Sequence, residues 1–206
     1  MEDVLDLYAE VYDAEFPVVC VDESPKQLIA DTHPVINSKP GRPIRYDYDY
    51  KRYGTANLFM ISQPLVGWRH VEITERRTAI DYAHFMKLVA DVYFPDATII
   101  RVVQDNLNTH SPASFCKAFS PEEARRLTQR FDFHYTPKHG SWLNIAEIEF
   151  SVLSRQCLAK RRLNTLVVLR HEGATWESDR NVCASPIEWR FSTTDARIKL
   201  QRLYPA

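Results

Sequence analysis

Two short apolar runs, each closed by an aspartate, restrict this chain more than any other feature. Val18, Val19, Cys20 and Val21 run into Asp22, and Ile99, Ile100, Val102 and Val103 run through Gln104 into Asp105. Such runs read as strands buried on both faces, the kind that fill the middle of a parallel or mixed sheet. In open α/β sheets the strand ends are where loops gather and ligands bind. Two acids closing neighbouring strands would stand within a few ångströms of each other, which is repulsive unless a cation lies between them. A hard divalent ion such as Mg2+ takes carboxylate oxygens and keeps several waters, so it suits such a pair. Either aspartate alone could equally cap the turn that follows its strand.

The remaining segments supply a sheet and its helices. Residues 1–15 place Val4, Leu5, Tyr8, Val11 and Tyr12 at helical spacing, with Pro17 as a stop. Residues 33–43 are rich in Pro, Gly, Ser and Asn and read as a loop. Residues 46–62 read as strand, turn at Gly54 and strand, and residues 67–74 as a third strand. The clearest helix spans 78–94, with a stripe of Ile80, Ala83, Phe85, Leu88, Val89 and Val92 closed by Pro95. A helix at 121–131 opens with Pro121, a strand follows at 131–137, and one long helix is expected over 141–161, capped by Ser141. Residues 164–180 and 193–203 carry weaker helical patterns. Three strands followed by alternating helices and strands predict an α/β fold, a mixed sheet with helices on both faces. The expected core runs over about residues 16–160, with 161–206 as a helical C-terminal extension of a single domain.

Composition narrows the class. At 206 residues, 45% hydrophobic and 26% charged, the chain can bury a core and is neither a disordered tail nor a fibre. No apolar run approaches the roughly 18 residues a membrane span needs, and the acidic N-terminus lacks a signal-peptide pattern. Cys20, Cys116, Cys157 and Cys183 are scattered without metal-ligand spacing, as expected of reduced thiols in a cytoplasmic protein. None of the five glycines forms a phosphate-binding loop, which argues against a nucleotide-cofactor enzyme. The net charge of −1 hides an uneven distribution: −7 over residues 1–50, +1 over 51–150 and +5 over 151–206. The basic end suits a polyanion or a plain solvated surface.

A third carboxylate would complete a cation site, and the 141–161 helix offers Glu147 and Glu149. Around Trp142, Leu143, Ile145, Ala146, Ile148, Phe150, Val152 and Leu153, Glu147 falls on the edge of the apolar face and Glu149 inside it. A carboxylate inside that face needs a partner or an opening in the packing. Periodicity favours Glu147 and leaves Glu149 open.

Three segments, "VVCVDES", "RVVQDNLNTHSP" and "HYTPKHGSWLNIAEIEF", together with "DYKRYGTANLF", resemble the signature blocks of the mariner-like insertion-sequence transposases of the DDE superfamily. The resemblance covers about residues 16–160. It implies a ribonuclease-H-like fold and an acidic triad at Asp22, Asp105 and Glu147, since the family's glutamate lies three residues after the Leu-Asn pair, here Leu143 and Asn144. It implies two Mg2+ (or Mn2+) ions held by those three carboxylates, phosphodiester cleavage and strand transfer on DNA at transposon ends and targets, and a homodimer. No membrane and no small-molecule cofactor is expected. Residues 106–146 form a longer interval than the superfamily usually has, with the surplus expected as a longer helix around 115–127. The first catalytic strand starts too early for a preceding helix-turn-helix module, so the expectation is a catalytic domain alone. A truncated, inactive remnant and a ribonuclease-H-like nuclease are the alternative readings.

Supporting candidates are Asn106 and His110, which could hold a water or a phosphate near Asp105. Lys138 and His139, in the loop before Trp142, could touch DNA phosphates, as could the cluster Arg155, Lys160, Arg161 and Arg162 at the end of the long helix. Trp142 is expected in the core, His134 in a structural role, and Glu23 on the opposite side of its strand from Asp22, solvated or paired.

Overall fold

In a computed structural model, which describes residues 1–34, 36–45, 48–138, 140–159 and 161–204, five strands form one sheet. They are β1 (Val18–Asp31), β2 (Tyr50–Gln63), β3 (Trp68–Thr74), β4 (Ile100–Gln104) and β5 (Phe131–Tyr135), in the order β3-β2-β1-β4-β5. The first three are antiparallel neighbours, β2 and β3 joined by a short turn at 64–67; β4 and β5 add in parallel. Each parallel step needs a crossover. The first is α2 (Ala79–Leu88) with a π turn at Val89–Tyr93, and the second is α3 (Ala113–Ala118) with α4 (Pro121–Arg130).

Alternation along the strands sorts the core into two layers. Val18, Cys20, Leu58, Met60 and Val103 face α1 (Glu2–Ala9), α5 (Ile145–Leu153), α6 (Leu166–Cys183) and α7 (Thr193–Lys199). Val19, Val21, Phe59, Ile61 and Val102 face α2, α3 and α4. The mixed sheet with helices on both faces is therefore as expected, and four cysteines are free thiols. Among the described residues no helix is long and apolar enough to cross a membrane.

Several boundaries differ from the sequence expectation, each for a local reason. β2 is one unbroken strand rather than strand, turn, strand. Gln27 pairs with Thr55 and Ile29 with Arg52, so Tyr53 and Gly54 together oppose Leu28. Gly54 accepts this bulge at φ +106°. On α2 the buried residues are Tyr82, Ala83, Phe85 and Met86, while Ile80 and Val92 are 48% and 60% exposed. The Tyr82 hydroxyl donates to Gln104 Oε1 at 2.8 Å and turns that face to the sheet; the π turn then shifts the stripe off Val92. The surplus before β5 folds as two short helices, because Phe119 is extended and Ser120 caps a new start at Pro121.

The expected long helix at 141–161 is three pieces: a 3₁₀ turn at Ser141–Leu143, α5, and a π turn at Ser154–Leu158. Asn144, not Ser141, is the cap. Its backbone leaves the helical region and its Oδ1 accepts the Ala146 N–H at 3.1 Å. α1 stops at Ala9, and Val11 is 88% exposed.

The helix whose sequence pattern was weakest, α6, covers the sheet edge. Asn181 accepts from Arg69 N at 3.0 Å and donates to Arg69 O at 2.8 Å. Glu177 Oε2 accepts the Val71 N–H at 2.9 Å, and Arg170 Nε donates to Ile73 O at 3.0 Å. Side chains on one face of a helix thereby do for β3 what another strand would do, and the edge is closed to further pairing.

Candidate active site

The strand register brings the two aspartates together. Val18 pairs with Arg101 and Cys20 with Val103, so Asp22 and Asp105 each lie two residues beyond a paired couple on adjacent parallel strands. Neighbouring strands run about 4.8 Å apart. Asp105 leaves the end of β4 and turns to His110, while Asp22, continuing the alternation of β1, shares the face of Cys20, which is the α5 face. The 3₁₀ turn and α5 are tied there. Asn144 Nδ2 donates to Val21 O at 2.9 Å, one residue before Asp22, and the buried Tyr8 hydroxyl donates to Leu143 O at 2.7 Å. Glu147 stands in the first turn of the helix so anchored.

The electrostatics register this convergence. Burial, then the Asp105 and Glu147 carboxylates, push the Asp22 carboxyl up to about 7, against the opposing Glu23 N–H and the His110 ring. His110 is fully buried between two acids. Its Nδ1 lies 2.5 Å from Asp105 Oδ1 and its Nε2 2.8 Å from Glu23 Oε2. Burial alone would lower the ring's affinity for a proton; Asp105 and Glu23 outweigh it and hold the value at about 9. The His110 carbonyl accepts from Gln104 Nε2 at 3.1 Å and from the Tyr135 hydroxyl at 3.2 Å, which fixes the loop after β4. Glu23 does point to the opposite side from Asp22, paired with His110 and 3.8 Å from Arg77.

The donor set is chemically right for a hard divalent cation: three carboxylates, two at adjacent strand ends and one on the helix tied against them. Among the described residues no three His, Cys, Asp or Glu side chains close around one point at ligating distance. Asp105 is engaged through one oxygen by His110 and Asp22 by the Glu23 N–H.

Glu149 has a different fate. It is 2% exposed, with Oε2 3.1 Å from Arg69 Nε and Oε1 3.4 Å from Arg180 Nη2. An acid inside an apolar face does need a partner, and it has two.

The remaining candidates lie apart from the triad's contacts. Asn106 and Lys138 are exposed, and Arg155 is exposed with Nε donating to Ser151 O at 3.3 Å. Arg161 makes a two-pronged ion pair with Glu172 at 2.5 and 2.6 Å. Arg162 pairs with Asp31 at 2.8 Å. His139 and Lys160 lie outside the described residues. Trp142, expected in the core, is 40% exposed and stacks on Trp189 with ring centroids 6.2 Å apart. His134 bridges Asp3 and Asp132. Sequence reasoning missed Arg69, Gln104, Asn144 and Arg180. Only Asn144 carried a local signal, a cap-forming residue directly before an apolar helical run.

A family model described as DDE superfamily endonuclease matches residues 17–170. No curated protein matches the chain. Among solved structures, the Mos1 mariner paired end complex with Mn is similar over 86% of this chain and 52% of that one, at 14% identity and TM-score 0.55. The Mos1 strand transfer complex is similar over 86% and 51%, at 13% identity and TM-score 0.58. The chain spans about half the length of these transposase chains. At such identity the likeness is one of fold, the ribonuclease-H-like sheet order described above. With its match running through β1, β4 and α5, the chain belongs to the DDE superfamily of endonucleases.

Proposed function

We propose that this chain is the catalytic domain of a DNA transposase that cuts phosphodiester bonds at transposon ends and joins the freed 3′ ends to target DNA. The reading is supported by the register that sets Asp22 and Asp105 at the ends of adjacent parallel strands, and by the Asn144–Val21 tie that holds the start of α5, with Glu147 in its first turn, beside them. Asp22, Asp105 and Glu147 would hold two Mg2+ or Mn2+ ions, which supply charge stabilisation at phosphorus and a water of lowered pKa. In cleavage, water attacks phosphorus and the 3′-oxygen leaves. In joining, a DNA 3′-hydroxyl attacks a target phosphodiester and the target's 3′-oxygen leaves. Neither displacement uses a covalent enzyme intermediate, so no Ser, Cys or Tyr has to be activated.

The chain's own residues set the stage. His110, held by Glu23, keeps the Asp105 carboxylate aimed and partly neutralised. Asn144 keeps the α5 terminus against β1. Exposed Lys138 and Arg155 would be available to meet DNA phosphates, and a homodimer would be the working assembly. The test is conversion of supercoiled plasmid to nicked circles in Mn2+ and in Mg2+. The parent chain nicks; Asp22→Asn, Asp105→Asn and Glu147→Gln each fall to background. Undiminished nicking by all three variants would place the chemistry elsewhere.

A further inference from the structure

We propose that Arg69, acting through Glu149, is a positioning residue that sets the rotation of α5 and thereby the aim of Glu147. The inference rests on the reading of Glu147 as the third carboxylate and deepens it.

Arg69 projects from the edge strand β3 and is 1% exposed, a burial that an arginine tolerates only when its charge is met. Its Nε meets Glu149 at 3.1 Å, and its Nη1 donates to Arg180 O at 2.9 Å. That carbonyl belongs to the last turn of α6, where it also accepts the Ala184 N–H at 3.2 Å and where the dipole favours a cation. Arg180 reaches the other oxygen of Glu149. Three elements, β3, α5 and α6, are thus locked through one carboxylate. The Arg69–Glu149 contact holds by charge and burial rather than by an aligned hydrogen bond. Turning α5 would leave the Arg69 guanidinium and the Glu149 carboxylate unpaired and away from water.

The geometry of a helix carries this lock to the site. Successive residues step by about 100°, so Glu147 and Glu149 point roughly 200° apart. Fixing Glu149 inward turns Glu147 to the other side of the helix, near the face of Asn144, which is tied to Val21 next to Asp22. Asn144 holds the helix three residues before Glu147 and Glu149 holds it two residues after. A slip of one residue would swing Glu147 by about 100° and move it about 1.5 Å along the axis.

The experiment is Mn2+ titration calorimetry on the full chain, with cooperative thermal unfolding recorded on each variant. Glu149→Gln weakens Mn2+ binding by roughly tenfold or more, the usual effect of removing an outer-shell orienting group, whereas Glu147→Gln abolishes it. Because Glu149→Gln leaves buried cations unpaired, the double variant Arg69→Met/Glu149→Met is measured beside it; it unfolds cooperatively and still binds Mn2+ at least tenfold more weakly. Glu149→Asp, which keeps the charge, recovers part of the affinity. Parent-like Mn2+ binding in both the single and the double variant overturns the positioning role alone. Absence of Mn2+ binding by the parent, or binding untouched by Glu147→Gln, overturns the metal-site reading and the positioning role with it.

Discussion

Glu147 and Glu149 stand two residues apart on one helix in opposite electrostatic surroundings. The Glu147 end of α5 is tied beside Asp22, whose carboxyl is driven up to about 7 by burial first and then by the Asp105 and Glu147 carboxylates. The Glu149 end is buried against two arginines. At the first end the charged form of Asp22 is disfavoured by folding; at the second, Glu149 cannot leave its arginines without a buried charge going unpaired. Repulsive grouping of acids at strand ends serves ligand binding; neutralised burial serves the architecture that keeps the group in place. Substitutions on the two sides should therefore move stability in opposite directions.

The largest effect is expected at the paired end. Arg69→Met leaves Glu149 with Arg180 alone and should cost about 3–5 kcal/mol in denaturant unfolding. A loss below about 1 kcal/mol would mean that solvent reaches Glu149 and that the contrast between the two ends is false. On the repulsive side, Asp22→Asn should stabilise the chain at pH 8 by roughly 2–4 kcal/mol while abolishing cleavage. Asp22 carries a raised value, so its folded form is favoured while protonated and disfavoured as pH rises through about 7. The gain should shrink toward zero near pH 4, where Asp22 is neutral too. A destabilised Asp22→Asn at pH 8 breaks the comparison.

A smaller effect follows at His70, which holds α6 on the sheet edge through Glu177 at 3.0 Å and faces Glu72 at 3.5 Å. Burial works against its charge, but the two glutamates prevail and raise it to about 9. Its stabilisation is complete below about pH 6.5 and is lost as pH climbs through 9. The difference in unfolding free energy between parent and His70→Gln should fall by up to roughly 3 kcal/mol over that window. Hydrogen exchange at the Val71 amide should quicken in step with it. The smallest effect is Asn144→Ala, which removes a cap and leaves the Val21 carbonyl without its donor, for about 1–2 kcal/mol. Mn2+ affinity should fall more than that stability loss alone suggests, because the change loosens Glu147.

These contrasts also explain what was legible in the sequence. The two aspartates stood out as candidates because each closes a strand that is mostly buried and apolar, and the sheet class followed from the order of elements. Glu147 emerged from its place on the edge of an apolar face together with the family resemblance. The role of Glu149 was readable only as a demand for a partner. Arg69 and Arg180, which answer it, lie on other elements, and no local pattern ties residue 69 to 149 or 180. Gly54 looked like a turn because a bulge and a turn ask the same left-handed backbone of glycine. The break at Asn144 was hidden because apolar spacing runs on through residues 142–153 regardless of the cap. α6 showed a weak pattern because much of its inner face is spent on the polar edge of β3, through Arg170, Glu177 and Asn181, rather than on apolar packing.

The most direct test of the central claim is Mn2+ binding by calorimetry at pH 7 in the parent chain, Asp22→Asn, Asp105→Asn and Glu147→Gln. If the three acids form one cation site, the parent binds with release of protons from Asp22 and His110, and each substitution abolishes or severely weakens binding while the chain stays folded. Parent-like Mn2+ affinity in all three variants would contradict the site.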